Sequence, residues 1–346
     1  MQETILSGIR ASGKLHLGNY LGALKQFVEL QNGNSSAEAS AKADCYFFIA
    51  DLHALTTPFE PKELSQNTLE VAAEYLAAGI DPDKSVFFLQ SQVLEHAQLA
   101  WIFNCLTSIG ELERMTQFKE KTEFNVTARG RTLTMGHPNK FIGAGLLTYP
   151  TLMAADILLY KPTAVPVGDD QTQHVELTRD IAKKFNNRFG ETFPIPKTFE
   201  PARRSLGEGG KKPLRIMSLT DPTKKMSKTG DEALMLADSP DEILRKLKKA
   251  VTATDTNQGS PGVDNLKFLL DQFGGTDQVQ DFTKYNDVKE TLAKVITNYF
   301  ADFREKKAKL LQNPKQVTDI LNAGAAKAQK IASRTLNEVK AKIGLI

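Results

Sequence analysis

Over its first two thirds the chain alternates short β-rich apolar runs with longer stretches of helical periodicity, and this alternation constrains the fold more than any other feature. Residues 4–9, 45–50, 85–89, 164–167 and 214–219 read as buried strands, each followed by Gly, Pro, Ser or Asp. Between them, residues 18–30, 61–78, 97–109 and 171–185 carry helical patterns. A helical crossover returns the chain to the same end of the sheet, so such strands pair in parallel and need helices on both faces. The expected fold class is α/β, a Rossmann-like doubly wound parallel sheet, with ligands beyond the C-terminal ends of its strands.

After residue 230 the strand pattern stops. Ser239-Pro240-Asp241-Glu242 supplies an N-cap and an acidic first turn, and helical patterns follow at 241–251, 263–273, 277–282, 287–311 and 314–343. Residues 252–262, rich in Thr, Asp, Gly and Pro, read as a loop. The expected division is an α/β domain over 1–230 and an α-helical module over 231–346, its last helix able to pack back on the first domain.

A chain of 346 residues with 41% hydrophobic and 25% charged residues can bury real cores, so a disordered chain is not expected. Lys and Arg number 44 against 41 Asp and Glu, a formal charge of only +3, so any surface for a polyanion must be local. Lysine pairs at 183–184, 211–212, 224–225, 248–249 and 306–307 read first as solvated faces. No apolar run is long enough for a membrane span and the N-terminus lacks a leader pattern, so a cytoplasmic protein is expected. Cys45 and Cys105 have no partner at metal-ligand spacing; buried free thiols and no protein metal cluster are expected.

Two loops carry candidate chemistry. The run from Ser7 to Gly22 follows the first strand and opens the first helix, with Gly8 and Gly13 permitting close backbone approach and Gly18 and Asn19 near a helix N-terminus, where amides attract phosphate. His16 can donate to a phosphate oxygen. On spacing alone, a glycine-rich turn with an incidental histidine fits equally well. The second loop, Lys224-Lys225-Met226-Ser227-Lys228-Thr229-Gly230, follows the last expected strand. Its lysines can reach ATP phosphates and neutralise charge on departing pyrophosphate, or they can simply be solvated.

Asp156 is the one charged residue in the apolar stretch 153–160. Burying a carboxylate there is costly unless defined donors meet it, so it is exposed, salt-bridged, or an acceptor with a purpose. His53 follows a strand and can face a pocket, whereas His174 reads as a structural hydrogen-bonding residue; His96 and His137 carry no usable signal. Residues 122–144 form a polar, Gly-punctuated connection, either a surface insertion or a closing loop.

His16-Leu17-Gly18-Asn19 and Lys225-Met226-Ser227-Lys228-Thr229, in this order, resemble the two signatures of class I aminoacyl-tRNA synthetases, the first in the form typical of the tryptophanyl branch and the second with Thr229 for a final Ser. The blocks 110–121, 146–160 and 166–174 also resemble that branch in its bacterial form, and the likeness weakens in the C-terminal third. Arg10-Ala11 replaces the usual Gln-Pro, so Arg10 either adds charge near phosphate or points to solvent. The family has a shorter connection where this chain has 122–144.

The resemblance implies activation of L-tryptophan by ATP and transfer to tRNA(Trp). It assigns catalysis to His16, Asn19, Lys121, Lys225 and Lys228. It places ATP against Arg10, Ala11, Ser12, Gly18, Asn19, Gly168, Asp169, Asp170, Ile216, Lys225, Met226, Ser227, Lys228 and Thr229. Asp156 becomes the acceptor for the indole N–H; Tyr149 and Gln171 meet the ammonium and carboxylate end, and Met153, Val167 and His53 line the pocket. Mg²⁺ accompanies ATP on phosphate oxygens and water, with no protein cage. A homodimer is implied, with tRNA rather than DNA as the nucleic acid and the helical module reading the anticodon. A tyrosyl enzyme, a small-molecule nucleotidyltransferase and a catalytically dead RNA-binding relative are the rivals, and amino-acid-dependent ATP–pyrophosphate exchange separates them.

Overall fold

The computed structural model describes residues 4–11, 13–33, 44–122, 142–166, 171–199, 216–227, 230–252, 261–279 and 284–345. Its sheet has five parallel strands: β1 (Thr4–Arg10), β2 (Asp44–Ala50), β3 (Ser85–Leu89), β4 (Ala164–Pro166) and β5 (Lys197–Phe199), in the order β3-β2-β1-β4-β5. From β1 the chain winds outward to β2 and β3, then crosses back to place β4 on the other side of β1. That reversal opens a crevice between the C-terminal ends of β1 and β4, the switch point where ligands bind in open α/β sheets.

Alternate side chains leave opposite faces of each strand, and both faces are dry. Ile5, Phe47, Ile49 and Phe87 join a core with Leu24, Phe27 and Tyr75. Leu6, Phe48 and Phe88 join another with Phe103, Ala154, Leu158, Ile181 and Phe185. Gly8 has to be glycine for packing reasons, since a Cβ there would lie 2.4 Å from the Phe48 ring.

The expected strand at 214–219 is corrected in two ways. Residues 214 and 215 lie outside the described residues, and Met217 makes only an isolated antiparallel bridge, to Lys225. Ser218 N donates to Lys224 O and Met226 N to Ile216 O, both at 2.8 Å, so this apolar segment folds back on the lysine loop instead of extending the sheet. The fifth strand is the three-residue β5, too short to show a β pattern of its own.

The first helix is continuous but not uniform: Leu17–Asn19 and Lys25–Gln31 are α-helical and Tyr20–Leu24 is a π turn. Beyond 230, Ser239 caps the helix Pro240–Lys249 by a reciprocal bond with Glu242, as its sequence predicts. The helix expected over 287–311 is two, Tyr285–Tyr299 and Ala301–Gln312, divided at Phe300. Of the helix expected at 277–282, only a short 3₁₀ turn at Thr276–Gln278 is described. The last helix, Pro314–Ile343, lies against β3, where Gly324 comes so near that a Cβ would fall 1.8 Å from Phe87 O. Its Ala325, Ala328, Ala332, Leu336 and Val339 complete the core on that side.

Both cysteines are free; Cys45 is buried, with its thiol pushed up to about 11 by burial, but Cys105 is exposed, contrary to the sequence expectation. Lys307 also departs from the solvated reading of the lysine pairs, being 7% exposed and bonded to buried Glu74. Among the described residues no helix is long and apolar enough to cross a membrane.

Candidate active site

β1 ends at Arg10, and the chain passes through Gly13, whose φ of +71° favours glycine, into the helix that begins at Leu17. His16 caps that helix. Its Nδ1 accepts from Gly18 N at 2.9 Å, and its backbone N–H donates to Asn19 Oδ1 at 3.1 Å. A neutral ring accepting at Nδ1 carries its proton on Nε2. Gly18 is required by this arrangement, because a Cβ would sit 2.6 Å from the imidazole. Ala11 is buried behind the loop.

The two signature segments are stitched together. Leu17 N donates to Leu234 O and Leu236 N to Leu15 O, both at 2.9 Å. Leu219 N donates to Glu232 O, and the Ser227 hydroxyl to the Glu232 carboxylate, so the turn at 230–232 braces the lysine loop. Met226 is buried, and the Ile216 carbonyl, in the segment marked for adenine, is engaged by Met226 N. Lys225 is exposed, while exposed Lys224 pairs with Asp221 at 2.9 Å.

Asp156 is only 1% exposed, on the helix Ala144–Leu158. Its Oδ1 accepts from Gln90 Nε2 and His96 Nδ1, both at 2.6 Å, and its Oδ2 lies 2.7 Å from His53 Nε2. Tyr160 OH lies 2.9 Å from His96 Nε2, so a neutral His96 accepts there and donates to Asp156. Burial favours the uncharged acid, but the bonds from His53 and His96 outweigh it and hold the carboxyl down at about 2. A carboxylate offers about four acceptor positions. The described residues take two on Oδ1 and one on Oδ2, beside which a further donor can be met.

Arg10 does not point to solvent. Its guanidinium donates to His53 O at 3.0 Å and to Thr56 Oγ1 at 3.4 Å, and burial lowers its pKa. Lys121, on the helix Thr116–Thr122, is likewise lowered by burial and by Arg10, so two cations share this corner. Tyr149 OH lies 2.7 Å from His174 Nε2 and 3.2 Å from Gln117 Oε1, with its pKa pushed up to about 12 by burial despite Arg10. Met153 is half-buried one turn before Asp156, and Gln171 stands at the N-terminal boundary of the helix Thr172–Phe189.

The fold thus brings Arg10, Lys121, Tyr149, His53 and Asp156 to one corner of the switch point, with His16 at the mouth of the same loop. Ser12, Val167, Gly168, Asp169, Asp170, Lys228 and Thr229 lie outside the described residues, as does most of the 122–144 connection. Sequence reasoning missed Gln90 and His96. Gln90 follows the C-terminal end of β3, where a polar residue after an apolar strand is a weak flag; His96, fully buried on the next helix, gave none.

A parallel sheet whose switch point gathers a glycine loop, a lysine loop and a buried carboxylate defines a nucleotide-dependent enzyme that selects a small polar-bearing ligand. The family described as tRNA synthetases class I (W and Y) matches residues 2–315. The tryptophan–tRNA ligase of Caldanaerobacter subterraneus subsp. tengcongensis is 45% identical over 357 residues, covering 99% of each chain. Among solved structures, the tryptophanyl-tRNA synthetase of Mycoplasma pneumoniae superposes with a TM-score of 0.80 at 36% identity, over 100% of this chain and 99% of that one. That of Campylobacter jejuni, complexed with ADP and tryptophan, gives 0.80 at 34% identity, over 99% and 100%. The chain belongs to the class I aminoacyl-tRNA synthetases of the tryptophan and tyrosine family, in its bacterial tryptophanyl type.

Proposed function

We infer that this chain is a tryptophan–tRNA ligase, which forms tryptophanyl-adenylate from L-tryptophan and ATP and passes the tryptophanyl group to tRNA(Trp). The observation that carries this reading is Asp156, a buried, ionised carboxylate whose Oδ2 meets one described donor, His53, in the chain that also joins its two signature segments. The indole N–H is the donor that fits it. Tyr149 and Gln171 take the ammonium and carboxylate end, with Met153, Val167 and His53 around the ring.

In the first step the tryptophan carboxylate attacks the α-phosphorus of ATP, and pyrophosphate leaves with the electron pair of the broken P–O bond. No protein nucleophile is needed. Catalysis comes from holding two anions in line and from stabilising charge on the departing pyrophosphate. His16 Nε2–H, the amides near Gly18 and Asn19, and Lys121, Lys225 and Lys228 supply that stabilisation; Arg10 beside Lys121 reduces repulsion between the substrates. Gly168 to Asp170 are assigned to the nucleotide, and Mg²⁺ would come with ATP rather than from a protein cage, adding positive charge against the phosphates. In the second step a ribose hydroxyl of the terminal adenosine attacks the activated carbonyl and releases AMP.

The division at residue 230, with the helical module engaging the anticodon, belongs to this reading, as do a cytoplasmic location and a homodimer. Support for the dimer is an apolar surface on and around the helix Glu95–Leu106, where Trp101 is 70%, Leu94 64% and Ile109 65% exposed. ATP–pyrophosphate exchange measured with each amino acid in turn tests the function: exchange driven by tryptophan is expected, and exchange driven by tyrosine alone overturns it.

A further inference from the structure

Glu74 and Lys307 are both buried, on helices far apart in the chain. Glu74, on Pro61–Ala77, is 0% exposed, and Lys307, on Ala301–Gln312, is 7% exposed. Lys307 Nζ lies 2.6 Å from Glu74 Oε1 and 4.0 Å from Glu70 Oε2. A buried ion pair is a poor way to join two helices, since apolar residues of similar volume do so without the desolvation cost of two charges. The other carboxylate oxygen gives the charge a use: Glu74 Oε2 accepts from Leu15 N at 2.8 Å. Leu15 immediately precedes His16.

Besides the bonds within the loop, three bonds among the described residues tie the backbone on either side of His16 to other segments. Two come from the segment after the lysine loop, Leu236 N to Leu15 O and Leu17 N to Leu234 O; the third is from Glu74. The side chains of Leu15 and Leu17 are fully buried, so this backbone is anchored on both sides of His16. We propose that Glu74 and Lys307 are positioning residues for the His16 loop: Glu74 fixes the Leu15 amide, and Lys307 holds Glu74 in place from the helix Ala301–Gln312. A movement of that helix is thereby felt at the loop through two contacts. The strut stands on geometry alone; its effect on ATP rests on the function inferred above.

Two double variants separate positioning from mere packing. E74Q/K307M removes both charges, and with them the pull of an unpaired buried carboxylate toward water that Lys307 counters, but keeps a carbonyl acceptor for Leu15 N–H, whereas E74L/K307M removes the acceptor as well. With tryptophan-dependent pyrophosphate exchange as readout, we expect kcat/KM for ATP within about threefold of wild type in the first and at least tenfold lower in the second, with KM for tryptophan unchanged in both. Equal kcat/KM for ATP in the two variants overturns the proposal. Hydrogen exchange gives a second reading that needs no activity and no leucine variant. In Lys307→Met the Leu15 amide is expected to exchange at least tenfold faster while the Leu17 amide, bonded to Leu234 O, does not change; equal protection of both also overturns it. Wild-type protein that exchanges no pyrophosphate with tryptophan defeats the functional reading and leaves the strut to the exchange measurement.

Discussion

The Asp156 centre and the lysine loop are both charged, and they are built in opposite ways. Asp156 is enclosed, with Gln90, His53 and His96 fixing both oxygens. Lys224 and Lys225 lie in the open, and Lys224 makes a surface pair with Asp221. The difference fits the tasks proposed for them. Discriminating between aromatic rings needs an acceptor that cannot turn to water when the wrong ring arrives, so it must be dry and locked. Meeting a charge that appears on pyrophosphate and then departs needs cations that can reach and release.

The sharpest way to break this comparison is at Asp156. Removing the acceptor should erase most of a preference of about 10⁴-fold over phenylalanine, the scale reached when a site's buried polar group is left unpaired by the wrong substrate. Tryptophan kcat/KM should fall in the order wild type, Asp156→Asn, Asp156→Ala, and discrimination should collapse furthest in Ala. An Ala variant with wild-type discrimination would make Asp156 a structural anchor for its two histidines.

Lys228→Ala should lower the rate of adenylate formation by about 10²- to 10³-fold, the loss of about 3–4 kcal/mol of transition-state stabilisation, with tryptophan affinity nearly unchanged. Rapid-quench measurement of adenylate reads this directly, and a normal rate removes Lys228 from the chemistry.

A smaller effect concerns stability. Asp156 is held at about 2, below the ordinary 3.8, so it contributes stability fully present above pH 4 and lost as pH falls toward 2. The linkage is worth about 2 kcal/mol. Chemical unfolding of wild type between pH 4 and pH 2 should show that loss, and Asp156→Asn should show less of it; parallel curves would place the acid sensitivity elsewhere.

The smallest expected change is at the exposed pair Lys248 and Lys249, which sit beside Glu290 and Asp231. Reversing both charges should weaken tRNA binding several-fold and flatten its dependence on salt. Filter binding over a salt series checks this, and an unchanged slope excludes the pair from the tRNA surface.

Alternation of apolar runs and helical periodicity determined the α/β class, four of the five strands and the bounds of the last helix, because burial on both faces of a parallel sheet leaves a local pattern. The two signatures were legible through the family resemblance, because their glycines, His16 and lysines stand together in the chain; on spacing alone each could be an ordinary turn or a solvated loop. Tertiary structure decided the rest. Leu214–Leu219 has a strand's composition, yet its described part, from Ile216, pairs with the lysine loop, since backbone partners are chosen by topology and not by propensity. The donors that make Asp156 an ionised acceptor come from the ends of β2 and β3 and the helix after β3. Glu74 and Lys307 meet from 233 positions apart. A buried polar contact is specified by which elements pack together, and a sequence read locally carries no record of that packing.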